Sequence, residues 1–177
     1  MNFNELISKR ESCRAYDGAP VSREQLTEMV KAAQIAPSAC NSQPWKFVVC
    51  DGETAQKVAK TVQSPPLPIN KWADQAGAFI VICETPARLM KGLPVASQHY
   101  AQIDVGIATA YLTLAATELG LSTCIMGWFR ENELRELLNV PKNCTVRLVL
   151  AVGHAASPEL RTKKRKELEE IVGYNQW

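Results

Sequence analysis

The sequence predicts an α+β sandwich with a core sheet. Four segments read as strands amid five or so that read as helices. The strand candidate Ala78–Cys83 is a continuous apolar run, and the helix candidate Tyr100–Leu119 is apolar on nearly every face, so both belong at the centre. A length of 177 residues favours one domain spanning 1–177, long enough to bury a core without staples.

The elements follow from local signals. Asn4 is placed to cap a first helix running to about Arg10. Ser22 and Gln25 match a capping box, and Leu26, Met29, Val30 and Ala33 follow at helical spacing. Pro37 disfavours helical backbone in the residue before it, so this second helix is expected to end near Ala36. Trp45–Cys50 reads as a strand and Glu53–Val62 as a helix. Ser64–Pro68 holds three prolines in five positions and is expected to be loop. Within Tyr100–Leu119, Ile103, Ile107, Ala110 and Leu114 share one face, while Val105, Leu112 and Ala116 lie elsewhere; Gly120 is a natural stop. Ser122–Met126 reads as a strand, Glu131–Leu138 as a helix and Thr145–Val152 as a strand, and the tail from His154 is polar and irregular.

Composition narrows the functional classes. At 46% hydrophobic and 21% charged the chain is ordinary for a globular protein, and it has no apolar run of about 18 residues that would suggest a membrane span. Residues 1–10 carry Glu5 and lack the apolar run of a signal peptide, so the expected location is the cytoplasm. The six cysteines form no Cys-x-x-Cys pair and the two histidines lie far apart, so free thiols in a reducing compartment are expected and no metal site. The net charge of +2 conceals one local feature: Arg161–Lys166 holds five of the 20 basic residues, leaving 15 against 18 acidic ones elsewhere. That segment attracts anions, but no aromatics interleave with it and the rest of the chain is net acidic, which argues against a nucleic-acid partner.

No Gly-x-Gly-x-x-Gly, P-loop, Gly-x-Ser-x-Gly or His-Glu-x-x-His appears. If the chain is an enzyme, its reactive centre is therefore borrowed, and no side chain stands out as catalytic. Two segments suggest what is borrowed. If Arg10–Arg14 is extended, Arg10, Ser12 and Arg14 share a face, and two guanidinium forks with a hydroxyl make a phosphate cradle. Lys163 and Arg165 are likewise two apart, so an extended tail puts both on one face and Lys164 and Lys166 on the opposite one. Either pair taken alone is more commonly a solvated charged surface. Ala36–Trp45, between a helix and a strand, is rich in small hydrogen-bonding residues and stiffened by two prolines. Its Asn41 and Gln43 supply the donors and acceptors that an amide-like heterocycle edge needs; the bland alternative is a plain polar turn.

Taken together these segments resemble the nitroreductase family. Arg10-Glu11-Ser12-Cys13-Arg14 is similar to its opening Arg-x-Ser-x-Arg motif, and Ala36-Pro37-Ser38-Ala39-Cys40-Asn41-Ser42-Gln43-Pro44-Trp45 to its Ala-Pro-Ser-x-x-Asn-x-Gln-Pro-Trp motif. Asp104–Leu121 resembles the central helix and its exit, Ile125-Met126-Gly127 a flavin-contacting turn, and Lys163–Glu170 the closing basic segment.

The resemblance implies a mostly antiparallel sheet flanked by helices, an intertwined homodimer and FMN at its interface. It implies that Arg10, Ser12, Arg14, Lys163 and Arg165 hold the flavin from one subunit. Pro37, Ser38, Ala39 and Asn41 would contact it from the other, with Met126 and Gly127 near the ring and Lys71 as a further candidate. The covering segment of longer members is expected to be reduced around Glu84–Gln98.

The reaction implied is ping-pong, with NAD(P)H as co-substrate passing hydride to flavin N5 and onward to a nitroaromatic, quinone or flavin acceptor. Arg14 is the candidate for stabilising the charged ring edge. The alternatives are a flavin-storage protein without turnover, and dehalogenation or flavin fragmentation on the same fold.

Overall fold

The computed structural model describes residues 1–64, 67, 69–87 and 98–177. Its elements run α1 (Phe3–Lys9), α2 (Arg23–Gln34), β1 (Trp45–Cys50), α3 (Gly52–Val62), β2 (Ala78–Glu84), α4 (Gln98–Glu118), β3 (Ser122–Met126), α5 (Glu131–Leu137) and β4 (Thr145–Gly153). The strands form one sheet in the order β1-β2-β4-β3, antiparallel at every pairing. The chain leaves β2 through α4, passes β4 and returns as β3, so the strand between them is the last to be made. The expected α+β fold with an antiparallel core sheet is therefore observed.

The sheet has an apolar layer on each face. Along β2, Phe79, Val81 and Cys83 enter one core with α3, and Ala78, Ile80 and Ile82 enter the other with α2 and α4. Alternation sends successive side chains to opposite faces, and both faces are covered, which is why this strand reads as unbroken apolar sequence. Fully buried Leu112 of α4 packs in the second core; truncating such a residue to Ala costs about 2–5 kcal/mol.

Helix ends differ in detail from the sequence expectation. The first cap is Asn2 rather than Asn4: its side chain accepts from the Glu5 amide, and Glu5 returns a bond to the Asn2 amide. Ser22 and Gln25 form the expected capping box. That helix stops at Gln34, before Ala36, because the Ala36 amide already turns back to the Ala33 carbonyl. Gly120, at φ +74°, ends α4, and the Leu121 amide reaches the Ala116 carbonyl in a Schellman closure.

The long helix is buried on one side only in the single chain. Asp104, Val105, Ala108 and Leu112 are buried, whereas Ile103 is 56% exposed, Ala110 and Tyr111 are exposed, and Ile107 and Leu114 are half-buried. The face bearing Ile103, Ile107, Ala110 and Leu114 thus lies open. The expectations of a loop over Ser64–Pro68 and a reduced covering segment over Glu84–Gln98 fall largely outside the described residues. No helix among the described residues is long and apolar enough to cross a membrane.

Candidate functional site

After α1 the chain runs along the open edge of β3. Ser12 bridges Thr123 in parallel register, and the Cys13 amide donates to the Thr123 carbonyl at 2.8 Å. The same stretch then meets the chain leaving β4: Tyr16 bridges Ala155, and the Ala156 amide donates to the Ala15 carbonyl at 3.0 Å. These pairings blunt the sheet edge. They also bring the N-terminal motif against the C-terminal tail.

The result is a cleft of about 250 Å³ lined by Arg10, Glu11, Ser12 and Arg14 on one wall and by Arg161–Arg165 on the other. All five residues expected to form the anion cradle, Arg10, Ser12, Arg14, Lys163 and Arg165, line it. Arg10 and Arg14 have no side-chain partner among the described residues, so their forks are free. The half-buried Lys163 ammonium donates to the Ser8 carbonyl in the last turn of α1, which leaves two of its three donors. One Arg165 nitrogen donates to the Lys164 carbonyl at 2.7 Å.

Glu11, Thr162 and Lys164 line the cleft although they lie outside the alternating pattern. Lys164 lines the same cleft, against the expectation that a two-residue repeat would turn it away; the tail forms no ladder here, so strict alternation does not apply. Glu11 also faces the cleft, and Arg161 clasps it, with the Arg161 amide 3.2 Å and Nε 3.5 Å from Oε2. The Arg161 guanidinium donates further to the Ser12 carbonyl. The sequence carries a signal for Arg161 in its place two residues before Lys163 within the basic run. Beneath the cleft, burial pushes the Cys124 thiol above its usual range, while Arg14, Arg161 and Arg10 pull the other way.

The Ala36–Trp45 loop is built differently. Cys40, Asn41 and Gln43 all adopt positive φ, at 54°, 49° and 48°, a left-handed backbone that non-glycine residues adopt at a cost. Two sets of bonds hold it. The Ala39 amide donates to both oxygens of buried Asp104 at 3.2 Å, anchoring the loop to α4. The Gln43 amide donates to Ser38 Oγ at 2.9 Å, and Gln43 Nε2 donates to Asn41 Oδ1 at 2.9 Å. Pro37 and Asn41 are exposed, and Ser38 and Ala39 half-buried. A buried aspartate on an otherwise apolar helix was legible in the sequence as an anchor, and sequence reasoning missed it.

One chain does not bring this loop to the cationic cleft, which Pro37, Ser38, Ala39 and Asn41 do not line. Met126 and Gly127 do not line it either; the Met126 side chain packs into the core, whereas Gly127 is exposed with open space where a Cβ would stand. Lys71 is exposed and apart from the cleft. A larger hollow of about 650 Å³ lies within the terminal segment Glu169–Trp177, but its walls are themselves exposed side chains and it offers no cationic donors. Among the described residues no cluster of His, Cys, Asp or Glu is arranged to hold a metal.

These features define an α+β protein with a cationic cleft at the sheet edge and a strained polar loop anchored to its central helix. The chain belongs to the nitroreductase family: the family model matches residues 7–154, which span the Arg10–Arg14 and Ala36–Trp45 segments but not Lys163 and Arg165. It is 32% identical over 98% of its length to an FMN reductase [NAD(P)H] of Bacillus subtilis, covering 74% of that protein. It is 26% identical over 97% of its length to an iodotyrosine deiodinase of Thermotoga neapolitana, covering 96% of it. Among solved structures it superposes, with a TM-score of 0.85 over 99% of this chain and 98% of the other, on a candidate nitroreductase in complex with FMN from Exiguobacterium sibiricum; at 22% identity that likeness concerns the fold.

Proposed function

We propose that this chain is an FMN-dependent oxidoreductase that takes reducing equivalents from NAD(P)H and works as a homodimer. The observation that carries the reading is the convergence of two segments some 150 residues apart on one anion-binding cleft. Two free guanidinium forks, the Ser12 hydroxyl and the Lys163, Lys164 and Arg165 cations match the donor set a phosphate monoester requires. The fit is partial in one chain. A cleft of about 250 Å³ is below the roughly 300–1,000 Å³ that encloses a drug-sized ligand, so it takes the phosphate end and needs another wall for the ring.

A second copy supplies that wall in this reading. The open face of α4 and the exposed apolar residues of the tail, Leu168, Ile171 and Tyr174, are surfaces for it to cover. The Ser38–Asn41 loop, held in its strained shape by Asp104, then offers the backbone amides that its internal bonds leave over, those of Ser38 and Cys40, and the Asn41 side-chain Nδ2 to the ring edge from the other subunit. In this reading Arg14, which lines the cleft beside Arg10, serves the phosphate rather than the ring edge.

Bound FMN would supply the redox chemistry, hydride transfer between NAD(P)H and a nitroaromatic, quinone or flavin acceptor in a ping-pong sequence, with Arg10, Ser12, Arg14, Lys163, Lys164 and Arg165 holding its phosphate end. The chain's residues bind, orient and shield it. The likeness to a deiodinase across 96% of that protein's length favours one second reading, reductive dehalogenation at the same site. Purified protein reconstituted with FMN and challenged with nitroaromatic, quinone, flavin and iodotyrosine acceptors separates the two. NAD(P)H-dependent turnover of the first three classes supports the reductase, and turnover confined to the halogenated substrate supports the other. Absence of FMN binding overturns both.

A further inference from the structure

Glu11 is a carboxylate on the wall of a cleft whose other charged residues are cations, and it is positioned where it subtracts from anion affinity. Arg161 joins the tail to this wall by three contacts, two of them to Glu11: its amide donates to Oε2 at 3.2 Å, its Nε pairs with Oε2 at 3.5 Å, and its guanidinium donates to the neighbouring Ser12 carbonyl. The Glu11 side chain is only 17% exposed. The tail between His154 and Glu167 has no helix, and beyond the Ala155 bridge it has no strand pairing. Past Ala156, its described bonds to the N-terminal segment are these and the Lys163 contact with Ser8. The pair opens to solvent on the Arg161 side, which is 57% exposed, and ion pairs reached by water contribute only about 0–1 kcal/mol to global stability, so the clasp matters little to the fold. It matters more to where an otherwise unpaired segment lies, because fixing each residue costs about 1–2 kcal/mol of conformational entropy.

We infer that Glu11 and Arg161 are positioning residues: they form a latch that seats the tail so that Lys163, Lys164 and Arg165 converge with Arg10 and Arg14 on one phosphate. This deepens the FMN reading and rests on it. The latch reverses the sign that simple charge counting gives. Glu11→Gln makes the cleft more positive, so electrostatics alone strengthens phosphate binding; loss of the latch weakens it. Arg161→Lys conserves the charge but loses the fork that spans Glu11 and Ser12, so electrostatics alone leaves affinity unchanged while the latch weakens it.

The test is titration of the flavin-free protein with FMN and, separately, riboflavin, which lacks the phosphate, together with hydrogen exchange over residues 157–166. The expected result for Glu11→Gln is FMN affinity lower by about tenfold, for Arg161→Lys lower by about threefold, and riboflavin affinity within about twofold of the parent for both. Exchange in 157–166 rises in both variants, and the melting temperature stays near the parent's. Tighter or unchanged FMN binding by Glu11→Gln overturns the latch, as does an equal loss of riboflavin affinity or unaltered exchange. If the parent chain binds riboflavin and FMN equally, or neither, the phosphate reading itself falls and the latch falls with it.

Discussion

The open face of α4 carries the dimer reading, and Ile103→Asp tests it. Ile103 is 56% exposed in the single chain, so nearly half of its burial is already complete. Fully burying an isoleucine contributes about 1.5–3 kcal/mol, so covering the remainder adds about 1–1.5 kcal/mol per copy. A two-fold interface uses the position twice, for about 2–3 kcal/mol. The introduced carboxylate must also be desolvated, at several kcal/mol per ion unless paired. Together these terms exceed about 5 kcal/mol, or more than about 10³-fold in dissociation constant. The fold should survive, because the side chain points away from the core and a single helix-propensity change costs only tenths of a kcal/mol. Sedimentation velocity should show a folded monomer with native far-ultraviolet circular dichroism and little bound FMN. A dimer of parental affinity would refute the assignment of this face.

Three further expectations follow from named residues. Lys163→Ala with Arg165→Ala should leave a folded protein whose FMN affinity falls by as much as about 10²–10⁴, with riboflavin unaffected, since each bond to a charged phosphate contributes about 1.5–3 kcal/mol; Lys164→Ala should weaken FMN as well because it lines the same cleft. Tyr16→Phe should leave the melting temperature unchanged or raise it: Tyr16 is buried against Gly153, its hydroxyl has no partner among the described residues, and an unsatisfied buried group costs about 1–3 kcal/mol; a clear fall would show a partner. Burial pushes Cys50 from 9.0 up to about 12 and Cys83 from 9.0 to about 11, so the folded state holds these thiols protonated while the unfolded chain ionises near 9. Stability from this source is complete below pH 9 and lost as pH rises from 9 toward 11–12; a urea series should show the midpoint falling across that window. A midpoint flat across it would contradict this origin.

Strand ends were legible because sharp signals flank them. Trp45–Cys50 and Ser122–Met126 match the sequence reading to the residue, since Pro44 and the Gly120 stop precede them and Asp51 and Gly127 follow. The first cap was misplaced because Asn2 and Asn4 are both good capping residues, and only Glu5 reaching back chooses between them. Strand order depends on which apolar faces meet, which no local pattern encodes. In the cleft, alternation along an extended chain identified Arg10, Ser12 and Arg14 because that stretch bridges β3. The same rule failed at Lys164, since the tail is fixed by side-chain contacts rather than by a ladder, whereas Arg161, two residues before Lys163, obeys it.

In the proposed function the cationic cleft serves a bound FMN that NAD(P)H reduces. Anaerobic titration of the purified, FMN-reconstituted protein with NADH and NADPH, followed by absorbance near the flavin's visible bands, tests it most directly. The expected result is a yellow protein holding about one FMN per chain that bleaches stoichiometrically with at least one of the two nucleotides before any acceptor is added. A colourless protein that does not take up FMN, or a flavin-loaded protein that neither nucleotide bleaches, would contradict it.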